Sequence, residues 1–267
     1  MEFIIYLTFF IIGTLFGSFF TLAVYRIPLG KDITHERSFC PNCNHKLQFL
    51  DLIPVLSYIF LRAKFRYCGN KIRPRYLILE IATGLIFAIY AYSFKIDWLH
   101  GFDFKIVLLV LGLLYFTALL IIAGIDRERK QIEKSVLIYL LIINMLYIIY
   151  TCTFEKINVY GYVIYLIAMA LITLMDIYII RKKLYSSYIL QVLILFLNIV
   201  IFSGTTITYF TVISTLIWIA LNCTVKIIKQ KINKTKQVND KIDLNMGYYL
   251  SISNIILVII SNFLIYR

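Results

Sequence analysis

Two acids stand at depths where acids are uncommon. Asp126 closes the apolar run Ile106–Ile125 in YFTALLIIAGIDRERKQIEK, and Asp176 interrupts a second run, LITLMDIYIIRKK. A carboxylate at the edge of hydrocarbon is costly to keep charged and calls for a partner. If its helix ends there, Asp126 also faces the unfavourable C-terminal end of the dipole. Each acid has a plain reading. Asp126 is then a helix-end residue facing headgroups, or an N-cap for the polar turn that follows, and Asp176 pairs with Arg181 or Lys182. Read together they point to chemistry. Two carboxylates brought close in a low-dielectric site share one proton, so that one activates water while the other polarises a peptide carbonyl. That is aspartyl proteolysis.

A second cluster has metal-ligand spacing. Cys40-Pro41-Asn42-Cys43 is a CxxC turn, and Phe65-Arg66-Tyr67-Cys68-Gly69 supplies a third thiol, with Phe65 where a fourth would stand. Three thiolates leave tetrahedral zinc one ligand short. His45 is the nearest candidate donor, His35 lies behind it, and Asn70 would be a poor one. The expectation is structural zinc held by Cys40, Cys43 and Cys68, since a reducing compartment disfavours a disulfide. Cys152 and Cys223 lie in or beside apolar runs and read as small packing residues. No Ser-His-Asp or Cys-His pattern, HExxH, Walker loop or GxGxxG is present.

The elements that must carry these residues follow from composition. The chain has 267 residues, 61% hydrophobic and only 15% charged, with mean hydropathy +0.84. Its apolar runs are too long for core strands. The expected fold is an all-α polytopic membrane protein with about eight spans: Phe3–Tyr25, then 77–95, 105–125, 136–152, 158–180, 186–204, 206–225 and 247–265. The first run is too long for a signal-peptide core and reads as an uncleaved span. Gly13 and Gly17 form GxxxG within it, a spacing that lets helices approach closely. Residues 26–75 form one large extramembrane loop. Its apolar middle, Leu47–Leu61, is short and broken by Asp51 and Pro54, so it lies at the interface or packs within the loop.

The net charge of +13 does not imply nucleic acid. Of the 27 Lys and Arg, all but Lys95, Lys105, Lys156 and Arg267 fall in alternate gaps between spans. By the positive-inside rule the long loop is cytoplasmic and both termini face outward. Spans three and five then run the same way, which brings Asp126 and Asp176 to nearly the same depth on the cytoplasmic side. A transporter's proton relay would place charges in several spans, yet the middles of spans four, six, seven and eight carry none. Glu80, one turn into the second span, is a third acid near this depth. It can hydrogen-bond within the bundle, support the cysteine loop or bind a basic substrate segment.

In sum these residues resemble the type IV prepilin peptidase family, the bifunctional leader peptidases and N-methyltransferases. Gly17-Ser18-Phe19 and Arg26 resemble the end of the family's first helix, with Thr21 in place of the usual asparagine. Arg37, Cys40, Pro41, Cys43, Leu47, Asp51, Ile53-Pro54 and Ser57 follow the loop pattern, and Arg66, Cys68, Ile72, Arg75-Tyr76 and Glu80 continue it. Ala123-Gly124-Ile125-Asp126 fits the first catalytic motif. Thr173-Leu174-Met175-Asp176 fits the second by position, without its glycines, and Tyr178 and Glu133 replace a lysine and a proline. The resemblance implies Asp126 and Asp176 as the catalytic dyad, with prepilin or pseudopilin precursors as substrates. It implies an inner-membrane location with the active site facing the cytoplasm, and S-adenosylmethionine as donor for methylating the new N-terminus. Glu80 and Asp51 are the acids expected to draw the basic leader. Residues 1–100 would form a first part around the cysteine loop, and 101–267 a six-span peptidase core. The second reading is a weakly active or inactive relative serving as a prepilin-binding scaffold.

Overall fold

A computed structural model describes residues 2–33, 38–40, 42–96, 105–154, 156, 159–181, 188–232 and 245–265. His35, Arg37, Pro41, Lys182 and Arg267, named above, lie outside them, as does the side chain of Arg181. The described residues contain no strand, only isolated antiparallel bridges in the cysteine loop. The helices are α1 (Glu2–Arg26), α2 (Leu56–Phe60), α3 (Pro74–Ser93), α4 (Lys105–Arg129), α5 (Lys134–Phe154), α6 (Tyr160–Arg181), α7 (Tyr188–Ile232) and α8 (Met246–Ile265). Seven of them, all but α2, are long and apolar enough to cross a membrane. The chain forms two compact units, Met1–Leu113 with Asn262–Arg267, and Leu114–Ser261.

In the first unit α1 packs along α3 at backbone contact. A Cβ on Gly13 would fall 2.8 Å from the Gly84 Cα, and one on Gly17 would fall 2.8 Å from the Glu80 Cα. The GxxxG spacing is thus spent on this one neighbour. Arg26, almost wholly buried at the end of α1, donates from Nη1 to the Asp32 carbonyl at 2.9 Å and ties down the entry to the loop. Within the loop, a 3₁₀ turn at Phe49–Leu52 and the short α2 occupy the apolar stretch that is too short to span.

In the second unit α7 contains the main departure from regular helix. Its 45 residues include Gly204 at φ 76°, ψ 167°, a conformation that glycine reaches without a Cβ clash. Ser203 Oγ and Thr211 Oγ1 each lie within 3.2 Å of the same nitrogen, Asn254 Nδ2. Eight residues of straight helix would hold them about 12 Å apart. Likewise Tyr188 reaches Gly247 while Trp218 packs on Tyr249, although 30 residues of straight helix run about 45 Å. The helix therefore doubles back at Gly204. Its two limbs, described from Tyr188 onward, correspond to the expected passes 186–204 and 206–225, which accounts for seven long helices where eight spans were expected.

Buried polar groups tie this unit together. Tyr115 donates to Asn254 Oδ1 at 2.7 Å and stacks on Phe202 with ring centroids 3.9 Å apart. Asn144 donates to Asn198 Oδ1 at 2.9 Å. These bonds pair amide hydrogens inside an apolar bundle, while Asn144 Oδ1 is buried with no hydrogen-bond partner among the described residues.

Candidate functional site

Asp126 is fully buried in the last turn of α4, which runs three residues past it. The dipole objection is answered from elsewhere in the chain. The N-terminus of α8 arrives at the carboxylate, and the Tyr248 backbone N–H donates to Oδ2 at 2.8 Å. Free N–H groups at a helix start are natural anion donors. Tyr188, the first residue of α7, donates its hydroxyl to Oδ1 at 2.9 Å. Gly247 makes the approach possible, because a Cβ there would lie 3.2 Å from Asp126 Oδ2 and 3.0 Å from Ile132 Cδ1. Arg127 stacks its guanidinium on the Tyr248 ring, 5.2 Å from the centroid.

Asp176 is also buried, on α6, one turn before the end of that helix. A cation not expected from sequence meets it; the side chains of Arg181 and Lys182 lie outside the described residues. Lys134, the first residue of α5, places Nζ 2.5 Å from Oδ2. The other oxygen, Oδ1, is buried with no hydrogen-bond partner among the described residues. Met175 is exposed while Asp176 is buried, so the residue standing for the motif glycine faces away from the carboxylate's side of α6.

The two acids thus sit at the end of the unit where α4 turns into α5. Lys130, at φ 56°, closes α4 by donating its N–H to the Asp126 carbonyl, and α5 begins four residues later. No hydrogen bond joins the two carboxylates; each is held by its own set of donors. Tyr188, Gly247, Tyr248 and Lys134 were not picked out from sequence. All four meet their acids across long stretches of chain or across a turn, and none carries a motif.

Glu80 and Asp51 both belong to the first unit, where they line a cavity of about 600 Å³ between the loop and the adjoining ends of α1 and α3. Each carboxylate is already engaged. Glu80 Oε2 accepts from the Val55 N–H at 2.8 Å. Val55 has φ 61°, a strained value for a β-branched residue, so this bond pins a backbone turn. Asp51 Oδ1 accepts from Arg66 Nε at 2.8 Å, and Oδ2 accepts from the Gln48 N–H at 3.1 Å.

The cysteine loop is built as two matching turns. Cys40 N–H donates to His45 O while Asn44 N–H donates to Cys40 O. In the second turn Phe65 N–H donates to Asn70 O while Gly69 N–H donates to Phe65 O. The flanking bridges, Phe39 with Lys46 and Lys64 with Lys71, keep the same offset. Cys43 therefore corresponds to Cys68, and Phe65 stands where Cys40 stands in its own turn. The ligand atoms of Cys40, Cys43 and Cys68 lie within 4.8 Å of one another, with Cys40 and Cys68 sulfurs 3.6 Å apart. Zinc–thiolate bonds of about 2.3 Å in a tetrahedron set sulfurs about 3.8 Å apart, so the cluster fits a metal ion of that kind. Burial pushes the Cys40 thiol up, but the N–H groups of Asn42 and Cys43 outweigh it and hold it below its ordinary value. For Cys68 the Asn70 N–H acts downward, yet burial and the neighbouring Cys40 and Cys43 leave it raised. His45, the expected fourth donor, lies outside the sulfur cluster and stacks on Tyr67 with centroids 3.7 Å apart.

The fold and these sites define a multi-pass helical membrane protein with a three-cysteine, metal-ready loop after its first span. Residues 11–94 match the family model of the bacterial peptidase A24 N-terminal domain. The chain is 33% identical to a prepilin leader peptidase/N-methyltransferase of Klebsiella pneumoniae over 144 residues, which are 52% of this chain and 59% of that protein. A relative of the same name from Bacillus subtilis (strain 168) is 35% identical over 133 residues, 49% of this chain and 50% of its own length. One from Myxococcus xanthus (strain DK1622) is 44% identical over 78 residues, 29% of this chain and 23% of that protein. The resemblance to type IV prepilin peptidases read from sequence is therefore borne out, while the chain spans about half the length of the curated relatives it matches, or less. No solved structure matches.

Proposed function

We propose that the protein is an intramembrane aspartyl endopeptidase that removes basic leader peptides from type IV prepilin-like precursors, with Asp126 and Asp176 as its catalytic pair. The observation that carries this reading is the burial of two carboxylates from different helices at one end of one unit. In the reaction, a water held between the two acids attacks the scissile carbonyl. One carboxylate takes the proton from water, and the other, protonated, donates a hydrogen bond to the carbonyl oxygen. The tetrahedral intermediate then collapses with cleavage of the C–N bond as the proton taken from water passes to the leaving amine nitrogen. The donors from Tyr188 and Tyr248 would fix the Asp126 carboxylate. Lys134 must yield Asp176 to the water and substrate as they enter.

The distribution of basic residues supports a cytoplasmic position for the loop and for this end of the core, in the inner membrane of a bacterium. The first two spans and their loop, residues 1–100, would receive the leader, with Glu80 and Asp51 beside the cavity, while residues 101–267 would cut. Zinc at Cys40, Cys43 and Cys68 would staple the loop and take no part in cleavage. Methylation of the new N-terminus from S-adenosylmethionine is proposed from the relatives' name alone.

One observation favours a second reading, a prepilin-binding scaffold with little or no peptidase activity. The ammonium of Lys134 occupies Asp176, whose sequence setting lacks the motif glycines. Incubating a prepilin precursor with the purified full chain separates the two readings. Cleavage that disappears in both Asp126→Asn and Asp176→Asn supports the enzyme. Binding without cleavage by the unsubstituted protein supports the scaffold.

A further inference from the structure

The cysteine loop carries a surface that neither the dyad nor the metal cluster uses. Phe49 is 81% exposed, Phe60 79% and Ile59 59%, and Leu50, Leu52 and Leu56 are exposed beside them. All six belong to the 3₁₀ turn and to α2, the short apolar elements between the first two long helices. A water-facing loop would not keep two bare phenylalanines and four bare aliphatic side chains on a dozen residues without something to cover them.

The charges around this surface specify the cover. Lys46, Arg62, Lys64, Arg66, Lys71, Arg73 and Arg75 are all exposed. The acid of residues 42–79 is Asp51, and its side chain is buried beneath Arg66. Basic residues therefore bracket the apolar segment, Lys46 before it and Arg62 and Lys64 after it, with no exposed acid between residues 42 and 79 to offset them. The loop's exposed acid among the described residues is Asp32, near its start. Apolar side chains among cations match the acyl–headgroup boundary of an anionic leaflet.

Position and backbone agree with this. The loop leaves α1 at Arg26 and enters α3 at Pro74, and those two helices pack at backbone contact, so both of its ends are held at one edge of the membrane. The segment also satisfies its own backbone where it would meet lipid. Ile59 N–H donates to Val55 O, Leu61 N–H to Ser57 O, and Asp51 N–H to Gln48 O. Irregular chain pays heavily in lipid only when such groups are left open.

We propose that Phe49–Phe60 is an interfacial anchor that inserts its apolar side chains into the bilayer and requires anionic headgroups for its cationic flanks. The anchor would hold the cysteine loop flat against the leaflet.

Photocrosslinking of the full-length protein in lipid nanodiscs tests this. Phe49 or Phe60 is replaced by p-benzoyl-phenylalanine, and adducts formed under ultraviolet light are identified by mass. With phosphatidylglycerol present, phospholipid adducts should dominate at both positions. Their yield should fall several-fold in phosphatidylcholine alone, or at high salt. Arg62→Gln with Lys64→Gln should lower it about fivefold or more, given the usual worth of a basic residue at an anionic surface. Adducts mainly to protein, whether a second copy or the same chain, would overturn the proposal, as would a label that reacts with neither. Equal lipid adduct in both nanodiscs would overturn the requirement for anionic lipid. The lipid comparison on the otherwise unsubstituted protein decides the matter even where the double variant fails to fold.

Discussion

The ammonium of Lys134 sits 2.5 Å from Asp176 Oδ2, and this pair joins the start of α5 to the end of α6. It is asymmetric: the aspartate side chain is 4% exposed and the lysine 46%. Losing the lysine strands a buried charge, whereas losing both partners strands nothing. Lys134→Met should therefore destabilise the protein by about 1 kcal/mol, a value reduced from the fully buried case by the lysine's exposure. Adding Asp176→Asn should recover most of that loss. A double-mutant cycle on detergent-solubilised protein measures the coupling, and additive effects would show that the pair carries no energy.

Under the proposed function, the donors to Asp126 set its catalytic geometry. Tyr188→Phe removes a hydrogen bond to a carboxylate, an interaction of about 1.5–3 kcal/mol, so precursor cleavage should slow by roughly ten- to hundredfold. Substrate binding should change little. Gly247→Val should cost more, since its first side-chain carbon already crowds both Asp126 and Ile132. A Tyr188→Phe enzyme as fast as the unsubstituted one would remove that hydroxyl from the site.

The match between the two cysteine turns makes a constructive test available. Phe65 occupies the place of the missing thiol, so Phe65→Cys should complete a four-thiolate site. Sharing the usual free energy of structural zinc over four ligands gives each about 3 kcal/mol, on the order of a hundredfold in affinity. Competition against a chelator should show Phe65→Cys tighter than the unsubstituted protein and Cys68→Ser weaker. Metal content near zero in all three would dismiss the zinc assignment.

Much of this arrangement was readable from residue types alone, and the unreadable part has a common cause. Long apolar runs fixed the helices, and the break at Gly204 fell where the expected sixth span ended, because a glycine there frees the backbone to reverse. The equivalence of Phe65 with a cysteine followed from spacing. What sequence could not supply were partners brought by tertiary contact. Asp126 looked misplaced at a helix end because the compensating dipole belongs to α8, more than a hundred residues on. Lys134 counted among the cations of a cytoplasmic gap, while Asp176 had nearer cations along its own chain. Local spacing points to the nearer cations, whereas the contact with Lys134 is made across from α5 to α6 and leaves no mark in the spacing.

The reversal at Gly204 yields a last prediction, because the limbs of α7 are clasped by one side chain. Asn254 on α8 accepts from Tyr115, exchanges hydrogen bonds with Ser203 on the incoming limb and donates to Thr211 on the outgoing limb. Asn254→Leu keeps similar volume but leaves the Tyr115 hydroxyl and both limb hydroxyls without this partner. Interhelical hydrogen bonds in membranes average about 0.6 kcal/mol each, so the loss of three contacts should come to roughly 2 kcal/mol. Unfolding in a mixed-detergent titration should register that loss. Asn222→Leu, at an exposed position on the outgoing limb where the amide donates only within its own helix, should register little. Equal effects from the two substitutions would mean that Asn254 does not clasp the hairpin, and that the reversal is held by apolar packing alone.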